Sequence, residues 1–146
     1  ETFYSGRRIV YDGPIPPGLD GHPEGGVSAA AARGRNIAKA REMLAKAGYP
    51  DGKGLPAIRF YTSQNALNNA VSEMVKRQLA EVNITFDPVF LDFSTLIEAI
   101  NKKKAPFFGF AWASDYPDGE NNLALFYGPN ESPGSNHYNY KRTIRF

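Results

Sequence analysis

The stretch WASDYPDGEN, Trp112 to Asn121, brings three carboxylates, Asp115, Asp118 and Glu120, close together and flanks the first with Trp112 and Tyr116. Two acids at this range could act as general acid and base in a hydrolase, with Asp115 working beside Glu120 or Asp118. Nothing marks a glycosidase pair. Three acids could ligate calcium, but the spacing misses the EF-hand loop pattern. One acid alone could hold a cationic ligand group. All are also ordinary turn residues: Pro117 fixes φ and Asp118-Gly119 favours a tight reversal, so for Asp118 the turn reading is preferred. Trp112 and Tyr116 combine an apolar body with a polar tip, which suits a partly wet ligand site. Phe107, Phe108 and Phe110 read as packing residues.

Other chemistry is hard to assemble. His22 lies in a Gly/Pro loop, His137 lies near the C-terminus, and neither has a neighbour at metal-ligand spacing. No G-x-S-x-G, G-x-G-x-x-G or P-loop occurs. Cysteine is absent, which excludes disulfides, thiolate catalysis and cysteine-type zinc or iron–sulfur sites. The expectation is no catalytic residue, no metal and no cofactor.

The elements that must position Asp115 follow from periodicity. Residues 1–34 read as an irregular Gly/Pro-rich lead-in. Within it, YDGPIPPGLDGHPEGG holds four prolines and five glycines in sixteen positions, which forbids a helix or a central strand there. Phe3, Tyr4, Ile9, Val10 and Tyr11 suit a short extended piece, and Ser28 to Gly34 a helical turn or linker. A first helix begins at an Asn36 cap, with Ile37, Ala40, Met43, Leu44 and Ala47 at helical spacing. It stops at Gly48 and Pro50. Ala57 to Thr62 alternates as a strand. Leu67, Val71, Met74, Val75, Leu79 and Val82 form the apolar stripe of a second helix. Ile84 to Leu91 is strand-like, with a bulge or strand end expected at Pro88. A third helix starts at Asp92 or Ser94, turns Leu96, Ile97 and Ile100 inward, and ends in Lys102 to Lys104. Pro106 to Ser114 is almost wholly apolar and predicts a strand buried on both faces. Helix and strand alternate, so the expected class is α/β with a parallel or mixed sheet. Ligands in such sheets bind beyond the carboxyl ends of the strands, and Asp115 follows the last one.

Composition bounds the class. The chain has 146 residues, of which 42% are apolar, enough for one core. Its net charge of +2 gives no footprint for nucleic acid. No apolar run approaches the roughly 18 residues of a membrane helix. There is no initiator Met and no signal peptide, so the chain reads as a processed protein or an excised piece.

Three segments then stand out together: GPIPPG (Gly13 to Gly18), AKAREMLAKAGYPDGKGLP (Ala38 to Pro56) and WASDYPDGENNLALFYGPNESPGSNHYNY (Trp112 to Tyr140). In this order, and with fitting gaps, the chain from about Phe3 to Tyr140 resembles the C-terminal lobe of bacterial oligopeptide- and dipeptide-binding proteins, the extracellular solute-binding components of ABC importers. The resemblance implies an incomplete α/β lobe of a periplasmic-binding-protein-like fold, with a mixed or parallel sheet and flanking helices, over 35–140. It also implies a periplasmic or extracellular location, with a lipid anchor on the full-length protein as one arrangement. The partners implied are a peptide ligand, an N-terminal lobe missing here and a membrane ABC permease. In peptide-binding members the aspartate of a W-x-x-D-Y stretch grips the peptide's α-ammonium group. Here that stretch is Trp112-Ala113-Ser114-Asp115-Tyr116, making Asp115 the implied anchor. Backbone bonds near Ala113 would take the peptide as an added strand.

Two departures qualify the resemblance. The family's proteins are several times longer, and half a cleft cannot exclude water, so the chain alone is expected to bind weakly or not at all. The residues NYKRTIRF lack the Asn-Pro-Glu-Phe-Asp type of continuation, which makes 141–146 a divergent or truncated tail. A lobe for another cargo (nickel, a sugar or an opine) and a carboxylate-dependent hydrolase stand as the competing readings.

Overall fold

The computed structural model describes Tyr11, residues 13–23 and residues 36–130. The expected extended piece among residues 3–10, the Ala-rich segment 28–34, His137 and the tail 141–146 lie outside these residues. The described residues fall into two compact units, one of residues 36–110 and one of Tyr11, 13–23 and 111–130.

The first unit runs α1 (Ile37–Lys46), β1 (Ile58–Ser63), α2 (Ala66–Ala80), β2 (Phe86–Leu91) and α3 (Phe93–Asn101). Each helix starts where a short polar side chain accepts an otherwise orphaned backbone N–H. Asn36 Oδ1 accepts from Lys39 N at 2.9 Å, Asn65 Oδ1 from Asn68 N at 2.8 Å and Asp92 Oδ1 from Thr95 N at 3.0 Å. Helix α1 closes as expected at Gly48, whose φ of 89° lets Gly48 N reach Ala45 O and Tyr49 N reach Leu44 O. Helix α3 closes with the same pair of bonds, Lys103 N to Ile100 O and Lys104 N to Ala99 O. There the left-handed position is held by Lys103, at φ 56°. The lysine end of α3 is also tied back by the Lys102–Glu98 ion pair.

Strands β1 and β2 pair in parallel, in unbroken register from Ile58↔Phe86 to Ser63↔Leu91. The expected bulge or strand end at Pro88 is therefore corrected: Pro88 lies inside β2, opposite Phe60. The reason lies in which backbone groups face β1. Ile58 N bonds Thr85 O and Gln64 N bonds Leu91 O, so the odd-numbered residues of this segment face β1 and the even-numbered ones face away. The N–H that proline lacks falls on the edge away from β1, where among the described residues no ladder bond is lost.

The third strand is also corrected. Beyond β1, Tyr61 N bonds Phe107 O and Gly109 N bonds Tyr61 O, forming one parallel bridge, Tyr61↔Phe108, rather than a strand from Pro106 to Ser114. Burial on both faces does not hold either, since Phe107 is 50% and Phe110 37% exposed. An apolar run supplies two apolar faces, but burying both takes a covering layer on each. Helix α3 covers the Tyr61 face: Leu96, Ile100 and Ala105 form the buried core, packed by Tyr61, Leu91, Ala99 and Phe108. On the opposite face Phe60 stacks on Phe86, with ring centroids 5.6 Å apart, and meets Phe107 at 5.1 Å. Gly109 crosses that ring so closely that a Cβ would sit 2.6 Å from Phe60 Cζ.

The expected apolar stripes are half-buried more often than buried. In α2, Val71, Met74, Val75 and Leu79 are half-buried and Leu67 is exposed, while Met43 of α1 is exposed. Among the described residues no helix is long and apolar enough to cross a membrane.

Leu96 is 1% exposed at the centre of the core, so Leu96→Ala should cost about 2–5 kcal/mol of stability, read by urea denaturation. The Asp92 carboxyl is held below its usual range by the Thr95 hydroxyl first and the Thr95 N–H second. A carboxyl depressed on folding stabilises above its unfolded pKa, and that contribution fades as pH falls through the folded one. The difference in melting temperature between the native sequence and Asp92→Ala should therefore shrink as pH is lowered from neutral to below about 4.

Candidate functional site

The residues singled out in the sequence lie in the second unit. Asp118 caps the five-residue helix α4 (Gly119–Leu123), its Oδ1 accepting Glu120 N at 2.8 Å. The preceding turn is tightened by Asp118 N donating to Tyr116 O at 2.9 Å across Pro117, whose fixed φ suits a three-residue turn. Asp118 thus does the local work that its turn reading predicts.

The segment before the turn is fastened to α4 side chain by side chain. Trp112 Nε1 donates to Asn121 Oδ1 at 2.8 Å, and the backbone N–H of Asp115 donates to the same oxygen at 3.2 Å. Asn121 Nδ2 faces Asp115 Oδ2 at 3.5 Å. Ser114 Oγ and the Asn122 carboxamide exchange bonds of 3.0 and 3.3 Å. Tyr116 Oη donates to Glu120 Oε2 at 3.1 Å. Trp112, Asp115 and Tyr116 are thereby brought to one helix, with Ala113 between the first two. All four remain exposed, while Asn121 and Asn122 are buried at 6% and 7%.

Two open valences follow. Asp115 Oδ1 has no hydrogen bond among the described residues, and no lysine or arginine of those residues pairs with its carboxylate. The backbone of Trp112 and Ala113 enters no hydrogen bond among the described residues and no regular secondary structure. A carboxylate oxygen and an unpaired stretch of chain thus stand side by side.

Loop 13–23 supports α4 from the other side. Its His22 Nδ1–H donates to Ile15 O at 2.7 Å, and the ring meets Tyr11 edge-on at 6.3 Å. Ile15 and Asp20 in turn press on Gly119, where a Cβ would lie 2.7 Å from Asp20 O and 3.2 Å from Ile15 Cδ1. An open groove of about 690 Å3, mostly apolar, is lined among the described residues by Pro14, Glu120, Leu123, Ala124, Phe126, Tyr127 and Asn130. Among the described residues no three histidine or acidic side chains cluster closely enough to hold a metal ion.

Asn121, Asn122 and Ser114 were not among the residues singled out in the sequence. The available signal was a pair of carboxamides in the first turn after an Asp-Gly cap, where helix formers without buried polar groups would ordinarily stand.

The family model described as "Bacterial extracellular solute-binding proteins, family 5 Middle" matches residues 1–134. A comparison with the curated proteins finds no match. Among solved structures, the chain is similar to a periplasmic oligopeptide-binding protein of an oligopeptide ABC transporter from Borrelia burgdorferi. The TM-score is 0.62 at 24% identity over 72% of this chain. It is also similar to OppA of Burkholderia pseudomallei, with a TM-score of 0.63 at 19% identity over 77% of this chain. The matches span 21% and 23% of those two proteins. The architecture is thus α/β, part of a periplasmic-binding-protein-like fold, with a small parallel sheet and flanking helices.

Gly119→Ala should cost about 1–3 kcal/mol, because the added methyl group meets backbone oxygen rather than a side chain that can swing away. Urea denaturation followed by Trp112 fluorescence reads it, since Trp112 is the only tryptophan of the chain.

Proposed function

This chain belongs to family 5 of the bacterial extracellular solute-binding proteins, and from that premise we propose that it is part of a ligand-binding lobe that captures short peptides for an ABC importer. The observation that carries the reading is the state of Asp115: an exposed carboxylate with one oxygen unpartnered among the described residues, held beside Trp112 and next to unpaired backbone. Every peptide with a free N-terminus carries an α-ammonium group there. One fixed carboxylate therefore recognises the class without reading sequence, and a charge-assisted hydrogen bond is among the stronger ones. Removing both charges from water offsets part of that gain, so the anchor confers selectivity more than raw affinity.

The backbone around Ala113 is suited to pair with an extended peptide as an added strand, since main-chain bonds are independent of ligand side chains. The groove lined by Leu123, Phe126 and Tyr127 offers apolar room for one side chain without prescribing its shape. Capture by closure of two lobes, release to a membrane permease and a periplasmic or extracellular location complete the proposal. It has no catalytic step. Asp118 is engaged as a cap and Glu120 by Tyr116, which supports the binding reading over the hydrolase one.

The test uses a full-length protein carrying this chain, titrated calorimetrically with tripeptides that are free or N-acetylated. Acetylation should weaken binding by about 1.5–3 kcal/mol, the range for a hydrogen bond to a charged group, and Asp115→Ala should abolish the difference. The peptides should be recovered intact. Equal affinities for both forms would remove the anchor role, and a sugar or nickel ion co-purifying in a native mass spectrum would replace the peptide cargo.

A further inference from the structure

Building on that reading, we propose that Asn121 is the positioning residue of the site, aiming the Asp115 carboxylate through a buried carboxamide that touches no ligand itself. Three observations converge on it. Its side chain is almost fully buried, although it sits in a short surface helix. Its Oδ1 receives two donors from different parts of the approaching segment, the Trp112 ring at 2.8 Å and the Asp115 backbone at 3.2 Å. Its Nδ2 faces Asp115 Oδ2 at 3.5 Å.

The orientation of the amide follows from these neighbours. A carboxamide has one acceptor oxygen and one donor nitrogen. Two N–H groups converge on one end, so that end must be oxygen. The NH2 is then left facing the carboxylate. Flipping the amide would set N–H against two N–H groups and carbonyl oxygen against carboxylate, so one arrangement suits all three neighbours and its reverse suits none. The 3.5 Å contact is long for a hydrogen bond and contributes little strength on its own. Its value is directional: it faces Oδ2 and, among the described residues, leaves Oδ1 as the oxygen open to an incoming ammonium group.

The same geometry explains why this residue is asparagine. Alanine would leave the Trp112 N–H and the Asp115 N–H without their acceptor. Aspartate would keep that acceptor but replace the NH2 with a second anionic oxygen beside Asp115. Among the described residues, the other ionisable groups on the elements packed here are Asp118, Glu120 and Tyr116 on the turn and α4, and Asp20 and His22 on the packed loop. Asp118 is bonded to the Glu120 N–H, and Glu120 to the Tyr116 hydroxyl.

The experiment compares Asn121→Ala, Asn121→Asp and Asp115→Ala in a full-length protein carrying this chain, using one tripeptide in its free and N-acetylated forms. The readout is the ratio of the two affinities between pH 3 and 8, at about half-unit intervals, a window that includes the ordinary aspartate value of about 3.9. Asn121→Ala should lower the ratio at neutral pH by about tenfold, the loss of one charge-assisted contact, with little change in affinity for the acetylated peptide. Asn121→Asp should move the pH at which the ratio collapses upward by about one unit or more, because a like charge opposes ionisation of its neighbour. A residue needed only for folding would weaken the free and the acetylated peptide alike and leave their ratio unchanged. If Asp115→Ala abolishes the ratio while both Asn121 variants keep it with the native midpoint, the positioning role is overturned and the anchor stands. If Asp115→Ala leaves the ratio unchanged, the anchor and the positioning role fall together. Should Asn121→Ala not fold, Asn121→Ser takes its place, with the same loss of ratio expected.

Discussion

A buried carboxamide must find a partner for each of its ends, and at Asn121 that requirement organises the segment around it. An unpaired buried donor or acceptor costs about 1–3 kcal/mol, a sizeable share of a small unit's stability. The indole N–H of Trp112 and the backbone N–H of Asp115 both reach its oxygen, so the chain from Trp112 to Asp115 is held against α4 although it forms no regular structure. Asn122 repeats the device one residue on, with Ser114. Helix α4 itself depends on Asp118 at its start and on Gly119 yielding space to loop 13–23. Polar satisfaction, rather than a large apolar core, is what gives this exposed acid a defined place.

The unit of residues 36–110 is stabilised differently. Its β1 is the middle of three paired segments, and its backbone is bonded on one side to β2 and on the other to Phe107 and Gly109. Helix α3 seals the Tyr61 face around Leu96, and Phe60, Phe86 and Phe107 line the other. Placing Pro88 on the outer edge of β2 costs no ladder bond, and proline there makes the edge a poor template for a further strand.

For the proposed receptor role, this division has a functional sense. A transport receptor must accept many peptides, so its fixed elements should address what all peptides share, the charged terminus and the main chain. In the proposed site, a carboxylate aimed by a neighbouring amide and a short run of backbone unpaired among the described residues would meet that requirement. Loose apolar space such as the groove beside Leu123 tolerates variation in the rest. Precision is needed at one group only, and the hydrogen bonds are concentrated there.

How much of this was legible in the sequence depended on the range of the interaction. The helix starts at Asn36 and Asp92, the stop at Gly48 and the turn around Pro117 were readable because each is closed by groups within a few residues of one another. The α/β alternation was readable for the same reason, as was the ordered resemblance that pointed to Asp115. The pairing of Pro88 was not, because whether its missing N–H matters depends on which side of the strand the neighbour lies. The short third segment was misjudged because an apolar run states what its two faces could bury, not what is there to cover them. Asn121 was passed over because a carboxamide carries no mark of its partners. By itself the sequence determined where the local elements begin and end and which residue is the candidate anchor. Only the tertiary structure decided which oxygen of that candidate has no partner among the described residues, since that depends on where a side chain six positions away is held.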